Sequence, residues 1–270
     1  MKPLRNADSV PGEWYIDTAC INCGASRHVA PGLIAERNDK SVFVRQPGTP
    51  DEQLAAWRAV FVCPTASVRS ETKQPRPSAA IFPQQITSGV WRCGFNARSS
   101  FGAHSYFAAR PDGNLLIDSP RYAAELVKWF DASGGIAHIL LSHRDDVADA
   151  DKYARQFGAR VWIHREDRLA APYATDLLDD GSARSIAAGV RAIPMPATLG
   201  VASCTCSRIA CSSRVIRLRG AHASRTSSRS GTRAGTHGPS SLNHSASWPR
   251  IVLNGCFPVM AGSRTCRPRK

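Results

Sequence analysis

From about Ile86 to Pro196 the apolar positions change period in a regular order, and the order predicts alternating strands and helices. Asn114-Leu115-Leu116-Ile117-Asp118 reads as a strand, and Ser119-Pro120 then offers an N-cap and a first-turn proline. Ala123, Leu126, Val127 and Phe130 follow at helical spacing, and Gly134-Gly135 closes that helix. Ile136 to Leu141 is a mostly apolar run suited to a buried strand. A helix is expected from about Asp149 to Phe157, ended by Gly158, and then a strand over Arg160 to His164. This grammar indicates a layered α/β domain. Residues 1–75 instead mix short apolar runs with Pro and Gly, and Lys73-Gln74-Pro75-Arg76-Pro77-Ser78 reads as a stiff polar connector. The expected division is 1–75, 76–196 and 197–270.

Beyond Pro196 no helical or strand period persists. The net charge of +14 would ordinarily point to nucleic acid or an anionic surface, but its placement removes that reading. No Asp or Glu follows Asp180, whereas 14 basic residues do, which leaves 21 basic against 21 acidic residues before that point. The body of the chain is neutral. A solvated basic tail is the bland account of 197–270, and a change of reading frame is the sharper one. Re-read from the third nucleotide of each codon, the stretch from Ala197 can encode HTRGSVVYLFEDRVL, and Leu253 to Ala261 can encode EWVLPGHGG. A disordered, out-of-frame tail is the expectation. Loss of the in-frame second half would also leave a large apolar face of the α/β domain exposed.

Nine cysteines, with no signal-like apolar opening and no apolar run of membrane-spanning length, argue against a disulfide framework and for the cytoplasm. Cys20-Ile21-Asn22-Cys23 stands 40 positions before Cys63-Pro64. Thiolates two residues apart can bind neighbouring irons of one cluster, with a distant Cys-Pro supplying another corner. Tyr15 to Val68 resembles a one-cluster ferredoxin, including Ala30-Pro31, Gln46-Pro47 and Cys63-Pro64-Thr65-Ala66-Ser67. The resemblance implies an iron-sulfur cluster on Cys20, Cys23 and Cys63. Ser26 stands where the third Cys of C-x2-C-x2-C belongs, and a hydroxyl is a harder, less readily ionised ligand than a thiol. A labile or altered cluster is therefore expected. A metal-free domain on the same apolar core, and zinc on Cys20 and Cys23, remain alternatives. Cys93 reads as a core cysteine.

After the strand ending at Leu141 comes Ser142-His143-Arg144-Asp145-Asp146-Val147-Ala148-Asp149-Ala150. His and carboxylates at the end of a strand suit a zinc or iron ion that turns bound water into a nucleophile. Val90 to Pro196 resembles metallo-β-lactamase-fold proteins, in particular a branch that joins a ferredoxin domain to this fold and carries an H-R-D-D-V-A-D-H type motif. Ser100-Phe101-Gly102-Ala103-His104-Ser105-Tyr106 and Leu116-Ile117-Asp118-Ser119-Pro120 add to it. By that resemblance His143, Asp145 and Asp149 are metal ligands, and Asp149 also partners the metal-bound water as the catalytic group. Asp146 is expected to cap the next helix. Ala150 replaces the motif's last His, and the later ligands would fall after Pro196. His138 and His164 read as a strand and a loop residue without site roles.

The fold expected is thus an α+β ferredoxin-like domain followed by a partial αββα metallo-β-lactamase fold. The function expected is a metal-dependent hydrolase of a small-molecule substrate, defective in this form. The runner-up is an electron-transfer protein with a redox partner and a non-catalytic scaffold. Nucleic acid and membrane are not expected as partners.

Overall fold

The computed structural model describes residues 4–77, 80–179, 183–193, 208–211 and 214–216. The first unit pairs strand β1 (Trp14–Ile16) antiparallel with β4 (Val68–Ser70), and joins β2 (Ile34–Arg37) to β3 (Lys40–Phe43) in a hairpin. Asn38 and Asp39 both hold positive φ in that turn, which matches the twist of two-residue hairpins. Two helices complete the unit, α1 (Ala25–Val29) and α2 (Pro50–Val62). Thr49 and Glu52 cap α2 reciprocally, with Pro50 in its first turn, so its start is fixed by sequence. Its end is fixed by Cys63, whose backbone N–H still bonds Ala59 before Pro64 forbids continuation.

The second unit is built on a seven-stranded mixed sheet. Strands β5 (Gln84–Thr87), β6 (Val90–Arg92), β7 (Tyr106–Ala108) and β8 (Leu115–Ile117) run antiparallel. Strands β9 (His138–Leu140), β10 (Arg160–His164) and β11 (Asp176–Leu178) then extend the sheet in parallel from β8. Helices α3 (Ala124–Ala132) and α4 (Ala150–Phe157) make the crossovers. The period of two sorts the sheet into two cores. Phe107, Leu116, Ile139, Val161 and Ile163 face the helices, while Tyr106, Ala108, Leu115, Ile117, Leu140 and Trp162 face the other way.

Two expectations need correction. Ser119 does not cap α3; its hydroxyl bonds Pro120, and the helix starts at Ala124. The backbone N–H groups of Arg121, Tyr122 and Ala123 are taken by Phe95, Asp149 and Tyr153, tertiary partners that hold this stretch extended. The second face of the sheet is also not bare. Ile186, Val190 and Ala192, from the hairpin of β12 (Arg184–Ala187) and β13 (Val190–Ile193), pack on it. Within 197–270 the described residues form two short strands, β14 (Arg208–Cys211) on β13 and β15 (Arg214–Ile216) on β14. The rest of 197–270 lies outside the described residues.

Among the described residues no helix is long and apolar enough to cross a membrane. The helix-side core centres on Phe130, which meets Phe107, Trp129, Tyr153 and Phe157 with ring centroids 5.3–6.2 Å apart and is fully buried. Phe130→Ala should cost about 3–5 kcal/mol, read as a lowered urea midpoint; an unchanged midpoint would contradict this packing.

Candidate cofactor and metal sites

The loop bearing Cys20 and Cys23 is anchored before and after. Asp17, fully buried, takes the Arg69 guanidinium at 2.5 Å and caps the N–H of Ala19 at 2.9 Å. Arg27 bonds Asn22 and Ser41, both at 2.6 Å, and pairs with Glu36 at 3.0 Å. Lys40 reaches the carbonyl of Cys20 at 2.5 Å. Three residues just after the cysteines, Asn22, Gly24 and Ala66, hold positive φ. Two of these are not glycine, a local cost that surrounding contacts sustain.

The turns bring backbone N–H groups onto the sulfurs. Asn22 donates to Cys20 Sγ at 3.4 Å, Ser67 donates to Cys63 Sγ at 3.1 Å, and Ala25 donates to Cys23. All three thiols are free. Burial pushes Cys23 up to about 11 against the pull of the Ala25 N–H, and the nearby Cys63 and Cys20 push it further. The three thiols are therefore neighbours in a half-buried site that disfavours bare thiolate charge. Their chemistry fits an iron-sulfur cluster, which takes one thiolate per iron and accepts N–H bonds at sulfur. Ser26, in the first turn of α1, is buried beside them. Among the described residues no group of three or more His, Cys, Asp or Glu is arranged as the ligands of a single ion. Cys93 lies in the core, pushed up to about 12 by burial.

The second unit supplies the other wall. Gly102, at φ +79°, packs so tightly that a Cβ there would lie 2.8 Å from Cys23 Sγ and 3.2 Å from Pro64. Buried Asn96 holds this loop by donating to the Gly102 carbonyl at 2.6 Å, and its amide nitrogen lies 3.1 Å from His104 Nδ1. The His104 ring stands edge-on to His28 of α1, centroids 5.0 Å apart, and Arg92 of β6 meets His28 at 3.4 Å. Burial, with Arg92 adding to it, pulls His28 down to about 4, and His104 moves the same way. On the α/β side of the seam, Gly102 and His104 lie in a stretch that adds to the fold resemblance, without a site assignment, while Arg92 and Asn96 carry no motif.

The hydrolase motif fares differently. His143 and Asp145 meet at 3.4 Å within a 3₁₀ turn after β9. Asp149 has partners of its own within the protein. One of its oxygens accepts the N–H of Tyr122 at 2.7 Å and the other pairs with Lys152 at 2.8 Å. Burial pushes this carboxyl up, yet Lys152 and the Tyr122 N–H hold it below the usual range. It serves as the anchor of α4 and of the stretch before α3. Ala150 adds a methyl group. Among the described residues no group of three or more His, Cys, Asp or Glu is arranged around one point, and both oxygens of Asp149 are engaged; that is how the structure places the expected ligands His143, Asp145 and Asp149. Asp146 is no cap; it is buried beside Asp118, burial raises both carboxyls, and the charges of Asp118 and Asp145 raise Asp146 further. His138 accepts from Trp162 Nε1 at 3.1 Å, a structural contact. His164 closes β10 and is buried, not a loop residue. His222, His237 and His244 lie outside the described residues.

Comparison with known proteins gives one family match and a set of similar solved structures. Residues 16–70 match the family described as the 4Fe-4S single cluster domain of Ferredoxin I. No curated protein matches. The chain is similar to a metallo-β-lactamase of Cronobacter sakazakii with a HARLDQ motif, at 19% identity over 48% of this chain and 60% of that one, with a TM-score of 0.36. It is similar to a metallo-β-lactamase from Hirschia baltica at 18% identity, 47% and 64% coverage and a TM-score of 0.37. A class B3 di-zinc metallo-β-lactamase from an Alaskan soil metagenome gives 13% identity, 51% and 61% coverage and a TM-score of 0.35. The chain spans about three fifths of the length of these structures.

The seam makes stability depend on pH. An unfolded His28 takes a proton near pH 6.5, whereas the folded one resists it down to about 4, so its contribution is full above 6.5 and is lost as pH falls. Between pH 7 and 4.5, wild type should lose about 2 kcal/mol more than His28→Gln, the partial exposure of the ring included. Denaturation midpoints at the two pH values test this, and equal losses would contradict it.

Proposed function

We propose that this chain is a metallo-β-lactamase-type hydrolase fused to an iron-sulfur unit, in a form whose hydrolytic centre is not built, so that its cofactor chemistry resides at Cys20, Cys23 and Cys63. The observation that carries this reading is the contrast between the two sites. Three free thiols each receive a backbone N–H. Both oxygens of Asp149 are committed to protein partners.

A bound cluster supplies one-electron exchange, or simply a covalent brace for the small first unit. The chain's own residues do the remainder. Cys20, Cys23 and Cys63 hold the irons, and the N–H groups of Asn22, Ala25 and Ser67 offset the charge gathered on sulfur. Arg27 keeps the loop closed through Asn22. Ser26 offers an oxygen in place of a fourth thiol, which weakens the grip on one corner. Free thiols suit a reducing compartment, which accords with the cytoplasm. The frame-change reading of 197–270 accounts for the missing downstream ligands, and moving the frame by one nucleotide at Pro196 would restore the HTRG and LPGHGG segments.

Anaerobic reconstitution with iron and sulfide should load the full chain, and Ser26→Cys should slow iron loss to a chelator by about tenfold. With zinc instead, no stoichiometric uptake dependent on His143 and no ester hydrolysis are expected. Stoichiometric zinc abolished by His143→Ala, with turnover, would overturn the defective-hydrolase reading; failure to bind iron and sulfide in both forms would overturn the iron-sulfur reading.

A further inference from the structure

We propose that the loop 96–104 of the α/β unit is the outer wall of the iron-sulfur pocket, with Gly102 as the positioning residue that keeps the Cys23 and Pro64 side of the cluster dry. The proposal rests on the iron-sulfur reading above and assigns the second unit a task that needs no hydrolytic metal.

Geometry leads here by exclusion of alternatives at position 102. Its φ of +79° is one that side chains rarely adopt, and the space is already filled, since a Cβ would stand 2.8 Å from Cys23 Sγ, 3.2 Å from Cys23 Cβ and 3.2 Å from Pro64. Gly102 therefore touches both cysteine-bearing segments at once, the one holding Cys23 and the one following Cys63. Gly32 offers an internal comparison. It has nearly the same φ, +78°, but nothing within 4 Å of its would-be Cβ. A turn needs a glycine at either place; contact with a candidate ligand exists at Gly102.

The wall is built rigidly. Gly102 N–H bonds Ala97 at 3.0 Å, Ala103 N–H bonds Ser100 at 2.9 Å, and Asn96, 2% exposed, clamps the Gly102 carbonyl. His104 continues the loop onto His28, which sits in the same helix as Ser26. Phe61 of α2 and Phe95, just before Asn96, meet edge to face at 5.2 Å on the same seam. A loop held from both sides cannot swing off the sulfur without breaking the seam.

The consequence for a cluster is electrostatic. Reduction adds negative charge, and water admitted beside a sulfur stabilises that extra charge, so a breached wall raises the reduction potential and admits oxygen. The test uses the full chain, anaerobically reconstituted, as wild type, Gly102→Ala and the control Gly32→Ala. Expected are a higher midpoint potential and a several-fold faster bleaching in air for Gly102→Ala, with Gly32→Ala matching wild type. Hydrogen exchange of wild type with and without the cluster provides a measurement that needs no variant, and loading should protect the amides of 100–103. Potential, bleaching and exchange that all ignore the loop would overturn the proposal even where the cluster forms. Absence of any cluster in wild type and in Ser26→Cys would instead defeat the iron-sulfur reading itself.

Discussion

Three sulfur atoms drawn together in a partly buried pocket impose the constraint on which the rest of this structure turns. Burial and the neighbouring sulfurs raise the Cys23 thiol, so charge on that sulfur is costly unless metal takes it up. The surrounding chain is arranged around that problem. Asn22 and Ala66 accept left-handed backbone, and Asn22, Ala25 and Ser67 turn their N–H groups to sulfur. Asp17 and Arg69 lock the loop base. Gly102, its carbonyl held by Asn96, then brings a second unit against Cys23 and Pro64.

The α/β unit shows the opposite balance. Its sheet is well packed on both faces, but the residues at the end of β9 are spent on structure. Asp149 pins Tyr122 and Lys152, Asp118 receives both the N–H and the hydroxyl of Ser142, and Asp146 lies buried beside it. A carboxylate that satisfies its oxygens within the protein has little left to offer a cation. Docking against the cysteines gives the same unit a use that needs only its shape.

Much of the architecture was legible from period and punctuation. Leu115 to Ile117, His138 to Leu140 and Arg160 to His164 alternate their faces as their sequence pattern implies, and Gly158 ends α4 in left-handed backbone. Cysteine spacing singled out three thiols that the fold brings near one another, since such spacing is a local property. Contacts between distant segments were not legible. Ser119 and Pro120 carry a helix-start signal that Phe95, Asp149 and Tyr153 outbid for the backbone N–H groups that follow. The motif around Asp149 announces a metal, yet Lys152 and Tyr122 decide where its carboxylate points. Gly102 is one glycine among 20, and only its approach to Cys23 gives it meaning.

The central claim is that Cys20, Cys23 and Cys63, and not Cys93, hold the cofactor of this protein. Each should be replaced by Ala in the full chain and the four variants reconstituted anaerobically, with iron, acid-labile sulfide and the visible absorption of the cluster measured per chain. Loss of sulfide and absorption in the first three variants with full retention in Cys93→Ala is the predicted result. Full loading of the variants at 20, 23 or 63, or loss confined to Cys93→Ala in a chain that still melts cooperatively, would contradict it.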